Sequence, residues 1–130
     1  MQVLPFSEIN QIPNDCMIIG SEISGGDFRS YLHEKMQEAN GNIYLLLEPC
    51  FRIFPLPCAD GQGAPLSKAR LQDILLTHKS SFSGSLCTNF IFLPEDPSVI
   101  LFDDSAAMEE KIKLARSLNY RGIIKKNKTP

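Results

Sequence analysis

Two pairs of adjacent acidic residues, Asp103-Asp104 and Glu109-Glu110, are the first candidates for chemistry in this sequence. Two carboxyl groups that converge on one bond can act as general acid and general base. Adjacent residues point to different sides, so neither pair makes a converging set. We therefore interpret Asp103-Asp104 as the cap and charge complement of a following helix, and Glu109-Glu110 as part of a solvated helix face.

Cysteine and histidine side chains are the next candidates, either as metal ligands or as nucleophiles. None of the cysteines is spaced as Cys-x-x-Cys, and the full set is Cys16, Cys50, Cys58, Cys87, His33 and His78. This spacing predicts no metal site. We interpret the cysteines as packed free thiols, with a Cys50–Cys58 redox pair as the alternative. His33 is predicted on the outer side of a helix, and His78 on a packed helix edge.

Cofactor and nucleic-acid binding are not indicated either. The segment Gly61-Gln62-Gly63 is followed by neither a third glycine nor the Lys-Ser/Thr pair of a phosphate-binding loop, so we predict no nucleotide cofactor. With 13 basic and 15 acidic residues, the chain has no basic field for a nucleic-acid backbone. No catalytic residue is assigned.

Polar residues that follow the predicted parallel strands are the candidates for a ligand pocket. Ligands of open α/β sheets bind beyond the carboxyl ends of the strands. Glu22 follows the first predicted strand, and Glu48 and Arg52 follow the second. We predict that these three residues border a pocket, with ordinary polar loop residues as the alternative interpretation.

A strand–helix–strand unit would position these residues. The short apolar run at residues 15–20 predicts a buried strand. Asp27 is a good N-cap for a helix with an apolar stripe, which Asn40-Gly41 would end. The continuous apolar run at residues 42–47 predicts a second buried strand, and the three elements predict a right-handed βαβ unit.

The middle of the chain predicts coil, a helix and a hairpin. Prolines and glycines interrupt residues 48–65, which we interpret as coil. Ser67 would cap a helix whose inner face is Leu71, Ile74, Leu75 and His78. Residues 90–92 and 99–102 are separated by a loop of hairpin length.

A helix and a strand end the pattern. The last helix is predicted from Asp104 or Ser105 to about Leu118, with Met108, Ile112 and Ala115 facing inward. Residues 121–124 would form the final strand.

We predict one domain over residues 1–130, with an N-terminal segment 1–14, an α/β core 15–124 and a basic tail 125–130. The start of the sequence has no basic leader, and no apolar run reaches about 20 residues, so we expect a cytoplasmic location without membrane insertion.

The stretch from Val99 to Ile123 resembles the end of the catalytic domain of family 18 glycoside hydrolases, especially their bacterial spore-cortex relatives. In that family an aromatic residue, an acid and Asp end a strand, a small residue opens a helix with an inward Lys, and a glycine-containing strand follows. The matching residues are Phe102, Asp104, Ser105, Lys111, Gly122 and Ile123. The resemblance implies an α/β fold: an open, mostly parallel small sheet with about three helices and an added β-hairpin, like the last three βα units of a TIM barrel.

The sequence also departs from the family pattern. No Asp begins the catalytic motif Asp-x-x-Asp-x-Asp-x-Glu, Phe51-Arg52 stands where Tyr-Gly is expected, and the chain has no Trp. The resemblance therefore implies a truncated, non-catalytic domain. Three βα units cannot close a barrel of about eight strands, so a second copy or a protein partner is expected to cover the open sheet edges. A residual module for N-acetylglucosamine glycans, with Tyr44 and Tyr120 replacing the tryptophan, is the alternative, and an active glycosidase is the third.

Overall fold

The computed structural model of this chain contains one parallel and one antiparallel sheet. It describes residues 1–22, 26–57 and 61–126. Three α-helices and one 3-10 helix pack on these sheets in the described part of the chain: α1 (Phe28–Glu38), α2 (Lys68–Leu75), α3 (Ser105–Ser117) and the 3-10 helix Phe6–Gln11. The strands are β1 (Gln2–Pro5), β2 (Met17–Gly20), β3 (Ile43–Leu47), β4 (Phe51–Pro55), β5 (Ala64–Pro65), β6 (Ser81–Ser83), β7 (Thr88–Leu93), β8 (Ser98–Phe102) and β9 (Gly122–Lys125).

The parallel sheet has the strand order β1-β9-β3-β2. Alternate residues of the central strands point to opposite faces, and both faces are apolar, as in parallel sheets covered on both sides. One face packs against α1 and α3, where Leu32, Leu45 and Ile123 are fully buried. The other face packs Tyr44 and Ile124 against Ile12.

The direction of the connections explains how the two faces are covered. From β2 to β3 and from β3 to β9 the chain moves across the sheet in one direction, and from β1 to β2 it moves in the other. Parallel crossovers are right-handed, so opposite directions place the connections on opposite faces. Residues 6–16, which we call the crossing segment, therefore cover the face that α1 and α3 leave free.

The N-terminal segment 1–14 differs from the sequence-based expectation, which placed the α/β core at residues 15–124. Its strand β1 pairs with β9, from Gln2 opposite Gly122 to Pro5 opposite Lys125. The pattern of β1 is too short and too interrupted by Pro5 to identify it, and only the non-local pairing with β9 makes it a strand. The parallel sheet consequently has four strands rather than three.

The antiparallel sheet has the strand order β5-β4-β8-β7-β6. The predicted hairpin is present as β7 and β8, but it is the centre of a larger sheet. The prediction of coil over residues 48–65 is wrong for β4 and β5, because β4 pairs with β8 on one side and with β5 on the other. Pro55 and Pro65 lie at strand ends, where a missing N–H is tolerated, so the prolines did not exclude strands here.

The helix caps agree with the sequence analysis. The side chains of Asp27, Ser67 and Asp104 accept hydrogen bonds from backbone N–H groups in the first turns of α1, α2 and α3. At the end of α1, Asn40 and Gly41 both have positive φ, as a C-terminal cap requires. These local signals predicted both ends of α1 and α3 and the start of α2. The expected inner face of α2 is wrong at its end, because the helix stops at Leu75 before His78, and Leu75 itself is 39% exposed.

Candidate functional site

A cavity of about 350 Å³ lies between the two sheets, beyond the carboxyl end of β2. Apolar groups make up most of its wall, with a few polar groups directed into it, which is the usual composition of a ligand site. Its lining comprises Ser21, Glu22, Gly26, Phe28, Phe54, Gly61, Leu86, Thr88, Leu101 and Lys111.

A buried ion pair lies at the inner end of this cavity, where one of its two members, Lys111, forms part of the wall. Lys111 on α3 is 1% exposed, and its Nζ lies 2.8 Å from Oδ2 of Asp103, which follows β8. Asp103 also accepts hydrogen bonds from the backbone N–H of Cys50 at 2.8 Å and from the Thr88 hydroxyl at 2.6 Å. Lys111 donates a further hydrogen bond to the carbonyl oxygen of Ser21 at 3.3 Å. The pair therefore joins the end of the parallel sheet to the end of the antiparallel sheet.

Of the acidic pair Asp103-Asp104, only Asp104 is the predicted cap; it accepts a hydrogen bond from the Ala107 N–H at 2.8 Å. Asp103 is instead buried in the ion pair, because its side chain points to the opposite side. The inward position of Lys111 that the family resemblance implied is present in the structure.

The three predicted pocket residues occupy the same end of the parallel sheet but do not form one cluster. Glu22 lines the cavity and accepts a hydrogen bond from Arg52 Nη2 at 3.3 Å. The carboxylate of Glu48 instead pairs with Lys126 at 3.2 Å, while its backbone N–H donates to the Ser21 hydroxyl at 2.8 Å. The structure thus brings Glu22 and Arg52 together and directs Glu48 away from them.

A row of half-buried apolar side chains extends outward from the cavity along the antiparallel sheet. The strand register places Phe54, Val99 and Phe92 in one row across three strands, with Leu101 and Phe90 in the next row. Helix α2 packs on the opposite face, against Ile91 and Ile100 among others. We call the set Phe54, Phe90, Phe92, Val99 and Leu101 the aromatic face, and its outermost member Phe92 is 50% exposed.

The tyrosines proposed as sugar platforms lie in the core instead. Tyr44 and Tyr120 are each 3% exposed. Their hydroxyl groups donate to the side-chain oxygen of Gln2 and to the carbonyl oxygen of Leu32. Neither ring can therefore stack on a ligand from solvent.

The buried cysteines agree with the interpretation as packed thiols. Burial raises the pKa of Cys50 to about 12, with the negative charge of Asp103 as the next contribution. Burial also raises the pKa of Cys87 to about 11. Such thiols are protonated and unreactive at neutral pH. Cys58, the proposed redox partner of Cys50, lies outside the described residues.

The histidines do not face the cavity. His78 Nε2 contacts a Glu95 oxygen at 3.0 Å, which joins the end of α2 to the loop between β7 and β8. His33 lines a shallow groove along α1. Over the described ranges, no three acidic, histidine or cysteine side chains group as metal ligands, and no helix is long and apolar enough to cross a membrane.

The aromatic face and the ion pair are the parts of the site that the residue pattern did not predict. Phe54 fell in the predicted coil, and Phe90 and Phe92 were assigned only to a hairpin. One available signal was the spacing of Met108, Lys111, Ile112 and Ala115, which places a lysine within the apolar stripe of α3.

The fold is similar to those of several solved structures at low sequence identity. A candidate sporulation-specific glycosylase from Bacillus subtilis matches 93% of this chain with a TM-score of 0.60 and 11% identity. The spore cortex-lytic enzyme SleL from Bacillus megaterium matches 95% of this chain with a TM-score of 0.55 and 12% identity. A family GH18 chitinase from Cycas revoluta matches 74% of this chain with a TM-score of 0.50 and 17% identity. The chain covers 51%, 36% and 32% of these proteins respectively.

These similarities show a GH18-like α/β fold, as the sequence resemblance implied. The chain spans about half of the Bacillus subtilis protein and about a third of the other two. No family model and no curated protein sequence matches the chain.

Proposed function

We propose that this chain is a non-catalytic glycan-binding domain that holds amino-sugar chains along the aromatic face and in the cavity. The observation that carries the proposal is the continuity of the two: Phe54 and Leu101 belong both to the aromatic face and to the cavity wall. A partly exposed apolar strip that leads into a cavity with a few polar groups is typical of a binding surface. Sugar rings present apolar C–H faces to aromatic rings, and their hydroxyl groups need polar partners.

The names of the structural neighbours support a glycan as the ligand class. They are a chitinase, a candidate glycosylase and a spore cortex-lytic enzyme. The shared fold makes chains that contain N-acetylglucosamine the first ligands to test. The phenylalanines of the aromatic face take the place that was expected for Tyr44 and Tyr120.

The ion pairs around the cavity support the non-catalytic part of the proposal. Retaining and inverting glycosidases need a carboxylic acid that donates a proton and a second group that stabilises the reacting sugar. Asp103 is neutralised by Lys111, and Glu22 contacts Arg52. Glu48 lies beside Lys126. None of these carboxylates is therefore well placed to act as the acid.

Two exposed phenylalanines of the antiparallel sheet provide a matched test. Phe92 lies on the aromatic face, whereas Phe82 pairs with Asn89 and points to the α2 side, and the two side chains are 50% and 47% exposed. We expect Phe92→Ala to weaken binding of an N-acetylglucosamine trimer about tenfold, because one stacking ring is lost. Phe82→Ala should leave the affinity unchanged. Affinities from amide NMR titration would decide, and equal effects of the two variants would contradict the proposed surface.

Self-association is the second candidate function, and the exposed edges of the parallel sheet favour it. Val3 on β1 is 51% exposed and Ile18 on β2 is 37% exposed. Two copies could pair at one such edge. They could not close an eight-stranded barrel in this conformation, because the crossing segment occupies the face that would line its interior. Sedimentation at tens of micromolar tests this candidate, and a strict monomer would remove its support.

A further inference from the structure

Lys111 offers a hydrogen-bond donor at the inner end of the cavity. An ammonium group has three N–H donors, and in the described part of the chain two of them have oxygen acceptors, on Asp103 and Ser21. The Phe28 ring centroid lies 5.3 Å from Nζ, and an aromatic face is a weaker acceptor than an oxygen atom. Since Lys111 lines the cavity, a ligand oxygen can take the third N–H.

The charges around this donor are balanced. Lys111 is paired with Asp103 at 2.8 Å, and Glu22 with Arg52 at 3.3 Å. A charged ligand group at the inner end would therefore lack a free counter-charge, and an unpaired charge in a buried site is unfavourable. A cationic group would in addition face the ammonium of Lys111. The site is consequently suited to an uncharged group that carries an acceptor oxygen.

We propose that Lys111 is a specificity-determining residue, which donates its third N–H to an uncharged carbonyl or hydroxyl oxygen and rejects cationic ligands. The inference rests on the proposed glycan-binding function, since it assigns a role within the same cavity. An N-acetylated amino sugar provides an amide oxygen for this bond. The same sugar without its acetyl group carries an ammonium group at acidic pH instead.

A pair of matched ligands tests the proposal on the unmodified protein. The N-acetylglucosamine trimer and its fully deacetylated counterpart would be titrated at about pH 5.5, where the free amines are protonated. We expect the deacetylated trimer to bind at least about tenfold more weakly, and the difference to narrow as its amines lose their protons near pH 8. Equal affinities at both pH values would overturn the role of Lys111 while leaving glycan binding intact.

The ammonium signal of Lys111 provides the direct readout. Buried ammonium protons exchange slowly with water, so a nitrogen-15 NMR spectrum at low temperature should contain a protected lysine signal, identified by its loss in Lys111→Arg. We expect this signal to shift with the acetylated trimer in step with the amide signals of Ser21 and Leu101. Amide shifts without an ammonium shift would overturn the inference alone. The absence of any saturable shift with either trimer would overturn the proposed function and this inference with it.

Discussion

The parallel and antiparallel sheets differ in how their faces are covered. Helices α1 and α3 cover one face of the parallel sheet, and the crossing segment covers the other. The antiparallel sheet is covered by α2 on one face only, and its other face carries half-buried phenylalanines up to the exposed Phe92. We infer that the parallel sheet supplies most of the stability, whereas the antiparallel sheet supplies the binding surface.

The largest effect is expected where the two sheets meet. Lys111→Met leaves the Asp103 carboxylate buried without its cation, which should lower the free energy of unfolding by about 3–5 kcal/mol. Lys113→Met is the matched control, since the Lys113 side chain is 65% exposed and its partner Glu110 is 51% exposed; it should change stability by less than about 0.5 kcal/mol. Urea denaturation measures both.

A double variant tests whether the pair acts as a unit. Asp103→Asn combined with Lys111→Met removes both charges. The one amide oxygen of the asparagine can still accept from the Cys50 N–H, and its NH2 group can donate to the Thr88 hydroxyl, which in turn donates to the Phe102 carbonyl oxygen. This variant should be more stable than Lys111→Met alone, because no buried charge lacks a partner. Equal costs for Lys111→Met and Lys113→Met would contradict the role of the ion pair as the junction between the sheets.

Leucine truncation compares the two sheets directly. Leu45, at the centre of the parallel sheet, is fully buried, whereas Leu101 on the aromatic face is half-buried. We expect Leu45→Ala to cost about 3 kcal/mol, because it opens a cavity in the core, and Leu101→Ala about 1 kcal/mol. The midpoints of urea denaturation measure both costs, provided that the dependence of the unfolding free energy on urea concentration is the same in both variants. A larger cost at Leu101 would refute the division of roles between the sheets.

Alkaline pH should weaken the fold through its buried thiols. The pKa of Cys50 is raised from 9.0 to about 12 in the folded chain, so the unfolded chain ionises first as the pH rises. The contribution of this thiol is fully present below pH 9 and is lost between pH 9 and pH 12, on the order of 2 kcal/mol by pH 10.5. The decrease in the free energy of unfolding above pH 9 should be smaller in Cys50→Ala and unchanged in Cys16→Ala. Thermal or urea unfolding at a series of pH values measures this decrease.

The smallest effect is expected at the helix caps, which do not distinguish the two regions. Asp104→Ala removes the acceptor of the Ala107 N–H at the start of α3, and Ser67→Ala does the same for the Arg70 N–H of α2. Each should cost about 1 kcal/mol. Chemical denaturation of both variants tests this, and a loss above about 3 kcal/mol at either site would indicate a contact beyond the cap.

The sequence by itself determined the local elements of this protein. Continuous apolar runs identified β2 and β3, a 3.6-residue stripe identified α1, α2 and α3, and Asp27, Ser67 and Asp104 marked where these three helices begin. The hairpin of β7 and β8 was also found. These features depend on neighbours within a few residues, so local patterns specify them, and the family resemblance added the GH18-like α/β fold.

Only the tertiary structure decided the pairings between distant segments. β1 is a strand because it pairs with β9, and β4 is a strand because it pairs with β8, although prolines interrupt both regions of the sequence. The Asp103–Lys111 pair and the aromatic face likewise arise where separate elements meet. Hydrogen bonds and burial between residues far apart in sequence leave no local period, so the candidate site could be placed at the strand ends from sequence, while its composition required the folded chain.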